Sequence, residues 1–423
     1  MKKKIKNWTY PFIVAMGLVF ILTNGCTKSE DPIPVGAQNT NFGALLDLTV
    51  NNPQNGIATK AAIQFALEDL NTYAAIAGRN VTFTCSFADT KMDTTEAKTQ
   101  MANLYAKGIR MFVGGPYSST ELKAVMPFVK QNQCALINTS SSAIGLNHSG
   151  SNVFRLCPDD INQAMALVSA AKTEGINAVI PIIRNDIWGN SLAEAFKTRF
   201  VEEGGFVYPG SGYSPSETSF AGLAGTIRSQ VNEAVAAYGA EKVAILALTF
   251  GEIAGIFTAA IQYEDLGLVK WYGCDGNASL DTLTSNVTLA AFAIKTGFIS
   301  PIMAIGNAWT MPDFTMQLSE KIALQTGVVP GVPALSAYDA TFIMGMAELQ
   351  VGNTDMVKII AMIPRVCDFY DKMGIERRLN VNGDLEKADY VFWKVLHNEN
   401  GYYWDKFATF WVDENQFEYR WPQ

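Results

Sequence analysis

Three features of the chain predict an α/β protein of two Rossmann-like lobes. Its 423 residues, almost half of them hydrophobic, exceed what a single core organises. From residue 42 onward strand-like and helix-like blocks alternate, the pattern of a parallel sheet with crossover helices. The alternation runs as two series, parted by Phe154-Arg155-Leu156-Cys157-Pro158-Asp159-Asp160.

Each element follows from local pattern. Residues 42–49 read as a first strand, ended by the turn-rich Asn51-Asn52-Pro53-Gln54-Asn55-Gly56. Ile63, Ala66, Leu67 and Leu70 then recur at i, i+3, i+4 and i+7, marking one face of a helix. Residues 81–88 form the second strand, and Ala97, Met101, Leu104 and Tyr105 the next helical stripe. A strand at 109–115, a helix at 122–131 and a strand at 134–139 complete the first series. In the second, strands are expected near 178–183, 205–208, 243–249 and 269–273. Helices near 162–174, 190–203, 220–238 and 252–265 separate them. No low-complexity tract or sequence repeat breaks this rhythm.

The first thirty residues read as an address. Lys2, Lys3, Lys4 and Lys6 precede an apolar run at 12–22, of secretory-signal length and short for a membrane span. The run ends at Leu22-Thr23-Asn24-Gly25-Cys26, which resembles a bacterial lipobox with leucine one place further upstream than usual. Cys26 would then carry the lipid; an ordinary cleaved signal or an uncleaved anchor is the alternative. The polar, proline-broken segment after Cys26 suits a tether. We therefore expect a lipoprotein signal peptide at 1–25, a tether at 26–40, and a bacterial cell-envelope location on the periplasmic side or the cell surface.

Loss of residues 1–25 removes four lysines and no acid, taking the net charge from −8 to −12. A chain this acidic, without a basic patch, is not expected to bind nucleic acid or to adhere electrostatically to anionic lipid. Besides Cys26 there are five cysteines, an odd number, none in a Cys-x-x-Cys pair. They read as buried free thiols, with one disulfide as the alternative.

Catalytic chemistry is thin. The only histidines, His148 and His397, lie far apart and outside any metal-binding spacing. There is no Gly-x-Ser-x-Gly elbow, no phosphate-binding Gly-x-x-x-x-Gly-Lys loop and no dinucleotide fingerprint opening a helix. The expectation is a protein that is not an enzyme, with no cofactor and no metal.

Two hydroxyl-rich turns stand instead at the carboxyl ends of predicted parallel strands, where open α/β sheets place ligands. They are Gly114-Gly115-Pro116-Tyr117-Ser118-Ser119-Thr120 and Asn138-Thr139-Ser140-Ser141-Ser142. Hydroxyls and backbone N–H groups in such turns can meet a small anion such as a carboxylate, or cap the helices that follow, or both.

The order and spacing of several motifs resemble the type I periplasmic substrate-binding proteins of the leucine/isoleucine/valine-binding kind. They include residues 43–49, the helix ending Glu68-Asp69-Leu70-Asn71, Asp89, Val113-Gly114-Gly115-Pro116-Tyr117-Ser118-Ser119 and Phe154-Arg155-Leu156-Cys157-Pro158-Asp159. Asn185-Asp186-Ile187-Trp188-Gly189, residues 273–280, Ala337-Tyr338-Asp339-Ala340 and Asn382-Gly383-Asp384 complete the set. The resemblance implies the type I periplasmic binding protein fold, with two lobes joined by three crossings and a ligand cleft between them. Lobe 1 would be 41–157 plus 299–376 and lobe 2 would be 158–298 plus 377–423, with crossings near Cys157, 297–301 and 376–380.

It also implies a site. Ser118, Ser119, Ser140, Ser141 and Ser142 would hold a ligand carboxylate from the first lobe. Trp188 and Phe250 would supply cleft aromatics, and Asp275 would meet an ammonium group. Phe250 lacks a tyrosine's hydroxyl, Asp275 is shorter than glutamate, and Tyr117 stands where some members carry a disulfide cysteine. The implied partners are a small amino acid-like ligand, an ABC permease, and the membrane through the lipid anchor. A ligand-sensing lipoprotein without a transport role is the alternative.

Overall fold

The computed structural model describes residues 38–50, 53–306, 309–374 and 376–420. The signal, tether and Cys26 readings fall outside the described residues, apart from residues 38–40, which lie in the first strand.

The first series gives β1 (Gln38–Leu46), α1 (Pro53–Ile76), β2 (Val81–Asp89), α2 (Thr94–Ala106), β3 (Met111–Gly114), α3 (Ser119–Gln131), β4 (Ala135–Asn138) and β5 (Val153–Arg155). These strands form an all-parallel sheet in the order β2-β1-β3-β4-β5. The second series gives α4 (Asp160–Thr173), β6 (Ala178–Arg184), α5 (Ile187–Glu202), β7 (Phe206–Val207), β8 (Ser211–Tyr213), α6 (Ala221–Tyr238), β9 (Val243–Leu248), α7 (Ile253–Ala260) and β10 (Lys270–Tyr272). Then follow α8 (Asp281–Thr284), α9 (Val287–Lys295), β11 (Ile299–Met303), α10 (Asp313–Thr326), α11 (Val332–Val351), α12 (Met356–Cys367) and a closing meander of β12 (Tyr390–Asn398), β13 (Gly401–Trp411) and β14 (Gln416–Tyr419). The second sheet runs β14-β13-β12-β11-β10-β9-β6-β7, with β8 also on β6. It is parallel from β7 to β11 and antiparallel from β11 to β14.

Two boundaries differ from expectation. β11 pairs with both β10 and β12, so the crossing expected at 297–301 comes after Met303, and residues 299–303 belong to the second sheet. Arg155 in β5 bridges to Asp384, and Leu379 to Leu385, so the last crossing follows Leu385 rather than 376–380. The chain is anchored to the first lobe up to that point by two buried ion pairs. Arg155 Nη2 meets Asp384 Oδ2 at 2.6 Å, and Arg377 Nη2 meets Asp339 Oδ2 at 2.7 Å with both side chains fully buried.

One face of the first sheet is covered by α1, α10, α11 and α12, whose apolar residues form a single cluster with Phe42, Met111, Val113 and Ile137. α11 is buried on nearly every side, which suits a sequence with almost no polar stripe. It packs so closely on α1 that a Cβ at Gly345 would fall 2.1 Å from Leu70 Cδ2. The opposite face carries α2 and α3. Their residues share a cluster with Trp188, Leu192 and Phe196 of α5, so the two lobes meet along that side.

Candidate functional site

The two serine turns are closed on each other by Asn138. This fully buried residue ends β4 and donates through Nδ2 to Pro116 O at 2.7 Å. Its Oδ1 accepts the amides of Ser140 and Ser141 at 3.1 and 2.8 Å. Ser140 Oγ donates to Tyr117 O at 2.9 Å, and Ser141 Oγ lies 3.3 Å from both Pro116 O and Tyr117 O. Ser119 Oγ accepts the Ala143 amide at 3.2 Å. Ser118 caps α3 in a reciprocal capping box, accepting from the Glu121 amide and donating to Glu121 Oε2. Ser118, Ser119, Ser140 and Ser141, which the sequence placed together, lie in these two bonded turns, and Ser142 follows them in the second. The hydroxyl protons of Ser118, Ser140 and Ser141 are nonetheless engaged inside the turns. Beside them, Asp47, Asn55, Thr59, Tyr117, Thr139 and Ser140 help line a small cavity, partly open to solvent, wholly within the first lobe.

Across the cleft, Asp186 caps α5 by accepting the Gly189 amide, which fixes Trp188 in the first turn. The Trp188 ring stacks on Phe250 with centroids 4.6 Å apart and planes 24° apart. Phe250 also meets Tyr117 of the first lobe at 6.3 Å, so three rings span the two lobes. A second tie is the Ile144 amide, which donates to Ser191 Oγ of α5 at 3.3 Å. Under the Phe250 ring, 4.7 Å from its centroid, lies the Arg184 guanidinium, paired with Asp186 at 2.7 Å and with Glu252. Tyr117, Arg184 and Glu252 were not picked out as site residues from the sequence. Arg184 had a signal available, because it is the last residue of a parallel strand.

Asp275 lies beyond β10 in a short 3₁₀ turn and is half-buried. Its amide donates to Gln163 Oε1 at 2.9 Å. Asn277 braces that turn, donating to Ala247 O and Thr249 Oγ1 and accepting from Cys274 N and Ser300 Oγ. Among the described residues no hydrogen bond joins Asp275 to the serine turns. Burial pushes its carboxyl up to about 6.

Among the described residues no group of His, Cys, Asp and Glu side chains is placed to hold a metal ion, and no helix is long and apolar enough to cross a membrane. His148 and His397 are exposed. Cys85, Cys134, Cys157, Cys274 and Cys367 are all free. Burial pushes the Cys134 thiol up to about 11 and those of Cys157 and Cys367 to about 12, so none is a thiolate near neutral pH.

Comparison with known proteins agrees with this geometry. Residues 58–397 match the receptor family ligand binding region. The chain is 25% identical over 292 residues to the uncharacterized protein MJ1266 of Methanocaldococcus jannaschii, covering 67% of this chain and 68% of that protein. It is 24% identical over 199 residues to the Leu/Ile/Val-binding protein BraC3 of Rhizobium johnstonii, covering 47% and 53%. The fold is similar to that of the leucine-binding protein LivK of Thermotoga maritima, with TM-score 0.69, 21% identity and 88% and 98% of the two chains covered. It is also similar to LivJ of Streptococcus pneumoniae solved with isoleucine, with TM-score 0.68, 15% identity and coverage of 87% and 100%. A solute-binding protein of R. palustris solved with 4-hydroxybenzoate matches with TM-score 0.69, 14% identity and coverage of 88% and 97%. With two α/β lobes meeting at a cleft and a family match over most of its length, this chain belongs to the receptor family ligand binding region and has the fold of the type I periplasmic binding proteins.

Proposed function

We propose that this chain is a lipid-anchored, extracytoplasmic solute-binding protein that captures a small amino acid or related carboxylate between its lobes for ABC-type uptake. The observation that carries the reading is the seat formed by Tyr117, Phe250 and Trp188, flanked by the serine turns on one lobe and by Asp275 on the other. Hydroxyl oxygens and turn amides suit one end of a zwitterion, after exchange of their internal bonds, and a carboxylate suits the other. The rings offer an apolar wall for the side chain. In this reading the two sheets with their helices move as two bodies about the three crossings.

The relatives that bind leucine, isoleucine and branched-chain amino acids support the amino-acid class, and the one solved with 4-hydroxybenzoate makes aromatic acids the comparison set. Mass spectrometry of what co-purifies, followed by a thermal-shift screen of amino acids and benzoates, tests the reading. A true ligand at 100 times its dissociation constant should add about 2.7 kcal/mol of stability. Stabilisation by benzoates and by no amino acid would overturn the zwitterion assignment. Anchoring is tested by fatty-acid labelling: Cys26→Ala should lose label, and an unlabelled wild type with Cys26 as its first residue would refute lipidation.

A further inference from the structure

The two rings on the second-lobe side of the cleft belong to different loops. Trp188 follows β6 and Phe250 follows β9, neighbouring parallel strands that pair up to Ile183 and Leu248. A carboxylate ties each ring to its loop. Asp186 Oδ1 accepts the Gly189 amide at 2.8 Å and so starts α5, with Trp188 in its first turn. Glu252 Oε2 accepts the amide of Phe250 itself at 2.8 Å. Both carboxylates turn their second oxygen to one guanidinium: Arg184 Nε donates to Asp186 Oδ2 at 2.7 Å, and Arg184 Nη1 pairs with Glu252 Oε1. The three side chains are largely buried, so salt screens these pairs little. The same guanidinium lies 4.7 Å from the centroid of the Phe250 ring that stacks on Trp188. Arg184 is itself fixed in place. It ends β6, pairs with Tyr213 of β8, and meets α5 so closely that a Cβ at Gly189 would stand 2.2 Å from its carbonyl oxygen.

We propose that Arg184 is the positioning residue of the aromatic seat. From the end of β6 it holds the Trp188 loop through Asp186 and the Phe250 loop through Glu252, and it carries the Phe250 ring on its own face. A guanidinium presents its donors in one plane at fixed angles, so it can meet two carboxylates and a ring together. An ammonium in its place is a point charge that fixes no plane. The surface that Phe250 turns to Tyr117 across the cleft, 6.3 Å away between centroids, is thus set by a residue that need not touch the ligand. The effect of Arg184 on binding rests on the amino-acid reading given above, whereas its hold on the two rings does not.

Fluorine NMR of the full chain, labelled with 5-fluorotryptophan and free of ligand, tests that hold directly. Trp188→Phe identifies the Trp188 line by its loss, and Phe250→Leu measures the shift that the stacked ring imposes on it. Arg184→Gln leaves two largely buried carboxylates without their cation and can cost the fold. Arg184→Lys keeps the charge and loses the fork, so it is the decisive variant. It should move the Trp188 line toward its Phe250→Leu position, while the line of Trp271, buried in the core of the same lobe, stays in place. A Trp188 line that does not move, or one that moves only together with that of Trp271, overturns the proposal.

Calorimetric titration with L-leucine reads the consequence for binding. A well-placed aromatic contact is worth up to about tenfold in affinity, and Arg184→Lys should lose about that much. In a Phe250→Leu background, where the ring to be held is gone, the same substitution should cost about threefold or less. Equal losses in the two backgrounds overturn the role in binding, because they would mean that Arg184 acts without Phe250. If no amino acid binds the wild type, the amino-acid reading fails, and the fluorine spectra still decide what Arg184 holds.

Discussion

Asn138 illustrates how much of this site depends on single polar side chains. It joins two turns more than twenty residues apart in the chain by bonds to Pro116 O and to the amides of Ser140 and Ser141. Asn138→Ala removes all three and leaves buried groups unpaired, so we expect a loss of about 3 kcal/mol in urea denaturation. A loss under about 1 kcal/mol would mean that water replaces the amide and the turns are held otherwise. The serine turns were legible in the sequence because hydroxyl-rich residues follow strand ends, whereas Trp188, Phe250 and Asp275 came only from the family resemblance. Asn138 was legible only as the first letter of a turn, because a side chain bonding a distant backbone leaves no local pattern. The same is true of Gln163, which read only as part of a helix near 162–174 although its side chain accepts the Asp275 amide.

At the scale of elements, the periodic helices and buried parallel strands up to residue 273 were read from the sequence, and no element was assigned beyond it; two of those later elements show why. α11 is apolar all round, so it shows no stripe by which to recognise a helix. β11 contains Pro301, which reads as a breaker after Gly297. The strand tolerates it because β10 ends at Tyr272, opposite Ile299, so beyond that point β11 has β12 as its partner. The fit between elements is tight where the cavity lies. A Cβ at Gly56, in the first turn of α1, would stand 1.8 Å from the backbone oxygen of Asp47 at the end of β1. Gly56→Ala should therefore displace α1 and destabilise the protein by about 1–3 kcal/mol, despite the better helix propensity of alanine. An unchanged denaturation midpoint would show that the helix end shifts freely.

At the scale of the molecule, two sheets are joined by three crossings and meet along α2, α3 and α5, whose residues share one apolar cluster. Buried ion pairs, Arg155–Asp384 and Arg377–Asp339, fix the ends of the crossings within the first lobe. At the mouth of the cleft the contacts include one ring pair, Tyr117 against Phe250, and one hydrogen bond, from the Ile144 amide to Ser191 Oγ. Such an arrangement favours motion about the crossings over deformation within either lobe. Capture of a ligand by closure is then a property of the whole chain, and small-angle X-ray scattering measures it. With a cleft ligand identified by co-purification and added to saturation, the radius of gyration should fall relative to the ligand-free protein. A radius of gyration that stays the same when calorimetry shows the cleft filled would contradict capture by closure.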